Sequence, residues 1–207
     1  MLATACFSAT RALAAAEPEF EYVTAKVQST WVWQKQPGFY APYSGASSLN
    51  PYGEIGYTLT GTAFFGARPW KGTEFFLDPE VAQGVPFSGL RGLGGMTNGE
   101  AQKAGNGEPS GYMARAFVRQ TIGFGGGTVE QEASFNQFAG TVDKRRLVVT
   151  GGIYAITDIF DQNAFAHDPR TQFMNWAMMD YAAWDTPADA RGYTRGLAIE
   201  YYHDDWA

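Results

Sequence analysis

The sequence is poor in cysteine and histidine, and both scarcities exclude classes of site. Cys6 is the only cysteine among 207 residues, so the chain contains no internal disulfide. His167 and His203 are the only histidines, and they lack the paired spacing of a zinc motif. We therefore expect no metal site.

Long apolar runs and an excess of basic residues are also missing. No stretch of about 18 or more uncharged apolar residues occurs, which excludes a membrane-spanning α-helix beyond the N-terminus. The 15 basic and 21 acidic residues give a formal net charge of -6, whereas a nucleic-acid binder needs a basic face to displace counterions. We expect no nucleic-acid partner.

The chain is rich in aromatic residues and glycine, although it has no long aliphatic runs. Hydrophobic residues make up 45% of the chain, aromatic residues 15%, and there are 25 glycines. The mean hydropathy is nevertheless -0.26. This composition favours strands over helices, and the length is sufficient for one large β domain or two smaller ones.

The first sixteen residues resemble the end of a secretory signal. They are small and mildly apolar, and three alanines at 14–16 precede Glu17 and Pro18. Arg11 interrupts the apolar run, and a basic N-terminal region is missing. We interpret residues 1–16 as a signal-peptide remnant and residues 17–207 as the exported part. A disordered or helical tail is the alternative.

The clearest pattern is an alternation of apolar and polar residues with a period of two, which is typical of β-strands. It runs from Tyr22 to Gln34, where two tryptophans lie at one end of the apolar face, as in the aromatic girdle of a membrane barrel. In a soluble sandwich the same tryptophans would be core. A second strand is predicted over Ile55 to Arg68, and a turn returns the chain as Thr73 to Asp78.

Alternation resumes further along the chain. In the strand predicted over Tyr112 to Ile122, Arg115 and Arg119 share one face and Tyr112 lies on the other. Glycines 123–127 supply turn chemistry rather than a phosphate-binding loop. Further strands are predicted over Ser134 to Asp143, Arg146 to Ala155 and Tyr193 to Tyr201.

Two segments break the alternation. Pro79 to Pro109 is rich in glycine, proline and amide residues, and we predict a long connection there with a short helix at Asn98 to Lys103. Such a connection either folds into or over a pore or is a mobile surface loop. A helix of about two to three turns is predicted near residues 171–181, after the helix-start signal at Asp168 and Pro169.

Charged residues on the polar faces and in the loops are the candidate site. Such groups line an aqueous lumen and orient hydroxyl-rich solutes by hydrogen bonds, although surface ion pairs on a soluble sheet would have the same pattern. A pair of carboxylates among Glu80, Asp158, Asp161 and Asp168 would also suit glycoside hydrolysis, if their separation allowed it. The predicted pore-lining residues are Glu80, Arg115, Arg119, Arg146, Asp158, Asp161 and Arg170.

Several longer strings carry a family resemblance. They are Trp31 to Gln34 with Ala41 to Gly45, Asp78 to Pro86, Gly92 to Gly95 with Asn98 to Glu100, Ala114 to Thr121, Val142 to Leu147, Thr157 to Asp161, His167 to Trp176 and Ala188 to Tyr193. In these strings the chain resembles the carbohydrate-selective porin family (OprB-like), from about Val27 to the C-terminus. The resemblance implies an outer-membrane barrel that passes sugars by diffusion, with no cofactor and no enzymatic chemistry.

The length departs from that family, because a sugar porin is expected to close about 16 strands. At roughly 20 to 25 residues for each strand and its connection, this chain holds about six to eight. We therefore expect the N-terminal part of a longer protein, with a partial, open antiparallel barrel. Its expected partners are carbohydrate solutes, outer-membrane lipid and further copies of itself. The alternatives are a soluble secreted sugar-binding β-sandwich and, third, a glycoside hydrolase.

Overall fold

The computed structural model describes residues 21–105, 107–174 and 187–207, together with the backbone of residues 5–8. This part of the chain consists mainly of antiparallel β-strands, which confirms the predicted all-β class. Its helical pieces are three short 3-10 turns, Phe87–Leu90, Gly92–Gly94 and Ile156–Asp158, and no helix in these ranges is long and apolar enough to cross a membrane. The strands are β1 Ala5–Ser8, β2 Val23–Gln36, β3 Glu54–Trp70, β4 Thr73–Val85, β5 Ser110–Gly123, β6 Thr128–Gln131, β7 Gly140–Asp143, β8 Arg146–Ala155 and β9 Tyr193–Tyr202.

Seven of these strands form one sheet in the order β1-β2-β3-β4-β5-β8-β9. Every neighbouring pair is antiparallel, and β6 and β7 form a separate two-stranded hairpin. In the described residues β1 and β9 are the edges, and the sheet is not closed into a barrel.

The long strands follow the alternation in the sequence. β2 pairs with β3 without interruption from Val23 opposite Ala67 to Gln36 opposite Glu54. The register places threonine beside threonine, as at Thr30 and Thr60, and so gathers hydroxyl side chains on one face of the sheet. Apart from small shifts at their ends, the strands predicted at β2, β3, β5, β8 and β9 are confirmed.

β4 is longer than predicted. It continues to Val85, so the prediction that strand pattern ends at Asp78 is wrong, and the connection to β5 begins at Pro86. Proline lacks the N–H that a central strand must donate, and it is accommodated in sheets at bulges. Pro79 has such a place, because the pairing of β4 with β5 shifts between Asp78 and Pro79.

The bulge changes which face Tyr112 occupies. Asp78 pairs with Arg115 and Pro79 pairs with Met113, which leaves Ala114 as the additional residue of β5. Tyr112 then lies on the same face as Arg115, so the prediction that they occupy opposite faces is wrong.

The predicted loop elements have mixed outcomes. Residues 98–103 form hydrogen-bonded turns rather than a helix, and only Gly140–Asp143 of the strand predicted at 134–143 is a strand. Residues 171–174 are turn and loop, whereas residues 175–181 of the predicted helix lie outside the described residues. The predicted leader, residues 1–16, also lies outside them apart from β1, which pairs with β2.

The two faces of the sheet differ in what they expose. On the polar face, hydroxyl and carboxylate side chains are covered, and Thr58 is 1% exposed; on the apolar face Val27 is 77% exposed. The polar face carries Thr24, Thr30, Thr58, Thr60, Thr62, Asp78, Glu80 and Thr150, all buried. The apolar face carries Val23, Val27, Trp31, Ile55, Leu59, Phe65, Phe75, Leu77, Val81, Val118, Leu197 and Ile199, all exposed.

Candidate functional site

Three loops lie against the polar face and enclose a cleft of about 870 Å³. L1 comprises residues 86–109 between β4 and β5, and L2 comprises residues 132–139 between β6 and β7. L3 comprises residues 156–192 between β8 and β9, of which 175–186 lie outside the described residues. The sheet forms the floor of the cleft, and the loops form its walls.

L1 is fixed to the floor by side-chain amides and hydroxyls. The Gln34 side chain donates to the Thr97 carbonyl at 2.7 Å and accepts from Asn98 at 2.8 Å. The Thr60 hydroxyl donates to the Glu100 carboxylate at 3.0 Å, although Glu100 is only 1% exposed. L1 therefore packs against the polar face of the sheet.

Glu80 is the centre of a buried network under L1. Its carboxylate accepts hydrogen bonds from the hydroxyls of Thr62 and Tyr112 and lies 3.1 Å from the ammonium of Lys103. A buried carboxylate is stable only when it is paired with a cation and accepts hydrogen bonds, and Glu80 meets both conditions. Lys103 belongs to L1, so the network also joins the loop to β4 and β5.

Arginines of β5 form ion pairs along the polar face. Arg115 binds Asp158 of L3 through two hydrogen bonds of 2.6 Å, a bidentate pair of the kind that guanidinium groups favour. Arg119 lies 3.2 Å from Glu74, which also pairs at 3.2 Å with Arg68. Cations and carboxylates thus alternate across β3, β4 and β5.

L2 is held by aromatic and polar contacts. Phe135 stacks on Phe64 at 4.4 Å between ring centroids, and Phe138 packs against Phe76 at 5.6 Å. The Asn136 side-chain amide donates to Asp78 at 2.8 Å. Asp78 is fully buried, and its Oδ1 atom has no hydrogen-bond partner among the described residues. The loop thereby supplies one of the few donors that reach this carboxylate.

L3 closes the opposite side of the cleft through Arg170. Burial alone would lower the pKa of Arg170, but the neighbouring Glu100 carboxylate outweighs that effect and raises it. The guanidinium also donates to Glu100, so it is charged and L3 is joined to L1. Two of the three loops are consequently fastened to each other as well as to the sheet.

Most of the sequence-predicted site residues meet in this cleft. Two of them do not line it: Arg146 begins β8 opposite Gly123 and stacks on Tyr202 at 3.7 Å, away from the cleft, and Asp161 is buried within L3. Arg146 and Asp161 were predicted to line a pore together with the other five, and the structure places both outside this cleft. The five that line the cleft are Glu80, Arg115, Arg119, Asp158 and Arg170.

Sequence reasoning missed other residues of the cleft. Tyr112 was assigned to the wrong face because a one-residue bulge leaves no reliable trace in the alternation. Lys103 and Arg191 lie in loops, where no periodicity assigns a direction to a side chain. The predicted site residues also include no phenylalanine, although Phe64, Phe117 and Phe135 all line the cleft.

The site holds no metal-like cluster in the described ranges, since no group of three or more histidine, cysteine or acidic side chains is arranged to bind an ion. Comparison of the chain with known protein families, with curated protein sequences and with solved structures found no match.

Proposed function

We propose that this chain forms part of the wall of an outer-membrane β-barrel porin, through which carbohydrates and similar small solutes pass by diffusion. The observation that carries the proposal is the distribution of side chains between the two faces of the sheet. A sheet between lipid and water exposes aliphatic and aromatic side chains on one face and keeps polar side chains on the other. Nothing catalytic is required of such a protein.

The apolar face supports a lipid environment. Leu77, Val81 and Phe65 lie on neighbouring central strands and are each about half exposed, with 51%, 51% and 50% exposure. Monomeric soluble proteins rarely expose a contiguous apolar patch of several strands. In the described part of the chain no second sheet covers this face, as a β-sandwich would require.

The cleft supports passage of hydroxyl-rich solutes. Its wall combines charged hydrogen-bonding groups, such as Arg115 and Asp158, with aromatic rings such as Phe117 and Tyr193. Sugars offer both hydroxyl groups and apolar C–H faces, so both kinds of side chain are useful to them. Most charges of the wall are already paired, which favours weak contacts over tight binding and therefore favours release.

The experiment is a sugar-driven swelling assay on liposomes that contain the complete barrel to which this chain is proposed to contribute. We expect swelling with monosaccharides and none in liposomes without protein. In a Cys6→Ser background, Thr157→Cys places a thiol in the cleft wall, and Val129→Cys places one on the separate β6-β7 hairpin. A bulky charged thiol reagent should slow swelling for the first variant and leave the second unchanged.

Two results would overturn the proposal. One is a protein that is monodisperse and stable without detergent, which would favour the soluble sugar-binding β-sandwich. The other is a correctly inserted protein that admits no sugar. Blocking by the thiol reagent at Val129 but not at Thr157 would assign the path to a different part of the molecule.

A further inference from the structure

Arg191 differs from the other cations of the cleft in its partners. Arg115, Arg119, Lys103 and Arg170 each lie within 4.0 Å of a carboxylate. No described carboxylate forms such a pair with Arg191, although this residue lines the same wall. The cleft therefore holds one guanidinium whose charge is not matched in the part of the chain that the structure describes.

The contacts of Arg191 orient its guanidinium without neutralising it. The group stacks on the Tyr112 ring, with its central carbon 4.0 Å from the ring centroid, and one of its nitrogens donates to the Ser110 hydroxyl at 3.0 Å. The stack fixes the plane of the guanidinium. A guanidinium has five N–H donors, and among the described residues only Ser110 accepts a hydrogen bond from the Arg191 side chain.

The surroundings of this group are also ordered. Tyr112 is itself held by the Glu80 network, so the ring under Arg191 is a fixed platform. Asp189 is the nearest acidic residue in sequence, and one oxygen of its carboxylate is used in capping the backbone N–H groups of Arg191 and Tyr193, at 2.9 and 3.0 Å. Asp189 thus shapes the turn that presents Arg191.

We propose that Arg191 is a subsite for the carboxylate group of sugar acids, so that the cleft favours uronates and aldonates over the neutral sugars of equal size. The inference rests on the proposed passage of carbohydrates. A planar carboxylate accepts two parallel hydrogen bonds from the edge of a guanidinium, whereas a sugar hydroxyl accepts them singly. The Tyr193 ring and the Lys103 ammonium, 5.9 Å apart, line the same cleft.

The first test measures binding in detergent micelles with galactose and galacturonate, which differ only in the carboxylate. By isothermal titration calorimetry we expect galacturonate to bind more tightly. Arg191→Gln should reduce this preference by about threefold to fivefold, the range expected for a partly exposed charge pair. Arg191→Lys should keep part of it, because the charge remains and the planar fork is lost.

Arg146→Gln is the matched control. Arg146 also stacks on a tyrosine and forms no ion pair with a described carboxylate, but it does not line the cleft. Arg146→Gln removes one positive charge, as Arg191→Gln does, but at a position outside the cleft. This variant should therefore leave the preference for galacturonate unchanged. Equal affinities of the wild type for the two sugars, or equal losses in Arg191→Gln and Arg146→Gln, would overturn the subsite.

The second test separates this inference from the proposed function. Swelling rates of liposomes are measured with galactose and with sodium galacturonate. Entry of both sugars without any effect of Arg191→Gln on their ratio overturns the subsite and supports the pore. Selective binding of galacturonate in micelles without entry of either sugar overturns the pore and supports the subsite.

Discussion

The polar and apolar faces of the seven-stranded sheet differ in solvent exposure in the reverse of the usual sense for a soluble protein. The polar side chains are buried, and the apolar side chains are exposed. On the polar face, Thr58, Asp78 and Glu80 are 1%, 0% and 4% exposed. On the apolar face, aliphatic side chains of the same strands are open. L1, L2 and L3 bury the polar face and supply hydrogen-bond partners to it, such as Asn98 to Gln34 and Asn136 to Asp78. The described parts of L1, L2 and L3 thus cover one face, whereas the apolar side chains of the other face stay exposed in the part of the chain that the structure describes.

The largest effect is expected from breaking the Glu80 network on the polar face. Glu80→Gln removes the nearer carboxylate of Lys103 and leaves only Glu100, at 4.0 Å, and removing one partner of a buried pair is costly. We expect the free energy of unfolding to fall by about 3 to 4 kcal/mol. The measurement is urea unfolding in detergent micelles.

The control for this variant is Glu130→Gln, which removes an exposed carboxylate of β6. It should change stability by less than about 0.5 kcal/mol. Combining Glu80→Gln with Lys103→Gln should recover part of the loss, because the ammonium that has lost its nearer carboxylate is then gone. Equal stabilities of Glu80→Gln and Glu130→Gln would show that the network contributes little.

The apolar face is tested by introducing a charge at its centre. Leu77→Arg on β4 should lower the stability of the protein in lipid vesicles by about 2 kcal/mol, the cost of placing a charged side chain on the lipid side of a barrel. Val129→Arg on β6 is matched in chemistry and lies outside the main sheet. If both substitutions have the same small effect in vesicles, the apolar face does not meet lipid.

A smaller effect is expected where L2 contacts the polar face. Asn136→Ala removes the amide that donates to buried Asp78, and loss of one such hydrogen bond should lower stability by about 1 to 2 kcal/mol. Gln137→Ala, next to it, removes only an exposed bond to the Glu132 carbonyl. Amide hydrogen exchange of L2 should accelerate in the first variant only, and equal exchange in both would remove Asn136 from the attachment of the loop.

The smallest effect concerns a pair on neither face. Asp204, in the turn after β9, has a pKa held below its ordinary value by a hydrogen bond and the positive charge of Arg145. Because the folded pKa is the lower one, the pair stabilises the protein at neutral pH, and that contribution is lost as pH falls through the folded pKa. In an NMR titration Arg145→Gln should raise the pKa of Asp204, and an unchanged pKa would contradict the pairing.

The sequence predicts the strands better than it predicts the loops that lie against the polar face. Alternation in β2 and β3 is set by residues two apart, so local pattern is sufficient to find both strands and assign their faces. The end of β4 was missed because Pro79 is a local stop that only pairing with β5 accommodates. The same shift in pairing reversed the face of Tyr112.

In the candidate site, likewise, alternation indicates a face for residues on strands and gives no direction for those in loops. Arg115 and Arg119 were found because the alternation assigns strand side chains to a face. The direction of Arg146 was also assigned from alternation, but its position along the strand, at the end away from the cleft, depends on where the loops fold. Lys103 and Arg191 depend on the path of L1 and L3, which are fixed by long-range contacts such as that between Arg170 and Glu100.

The bulge at Ala114 determines which side chains of β5 lie on the polar face of the sheet. Beyond it, every side chain of β5 toward Ser110 is exchanged between the two sides of the sheet, so one added residue decides which surroundings Tyr112 and Met113 meet. An insertion or deletion there alters the cleft without replacing any of its residues. The spacing of residues in β5, with their identities unchanged, therefore determines whether Arg191 has an aromatic ring beneath it.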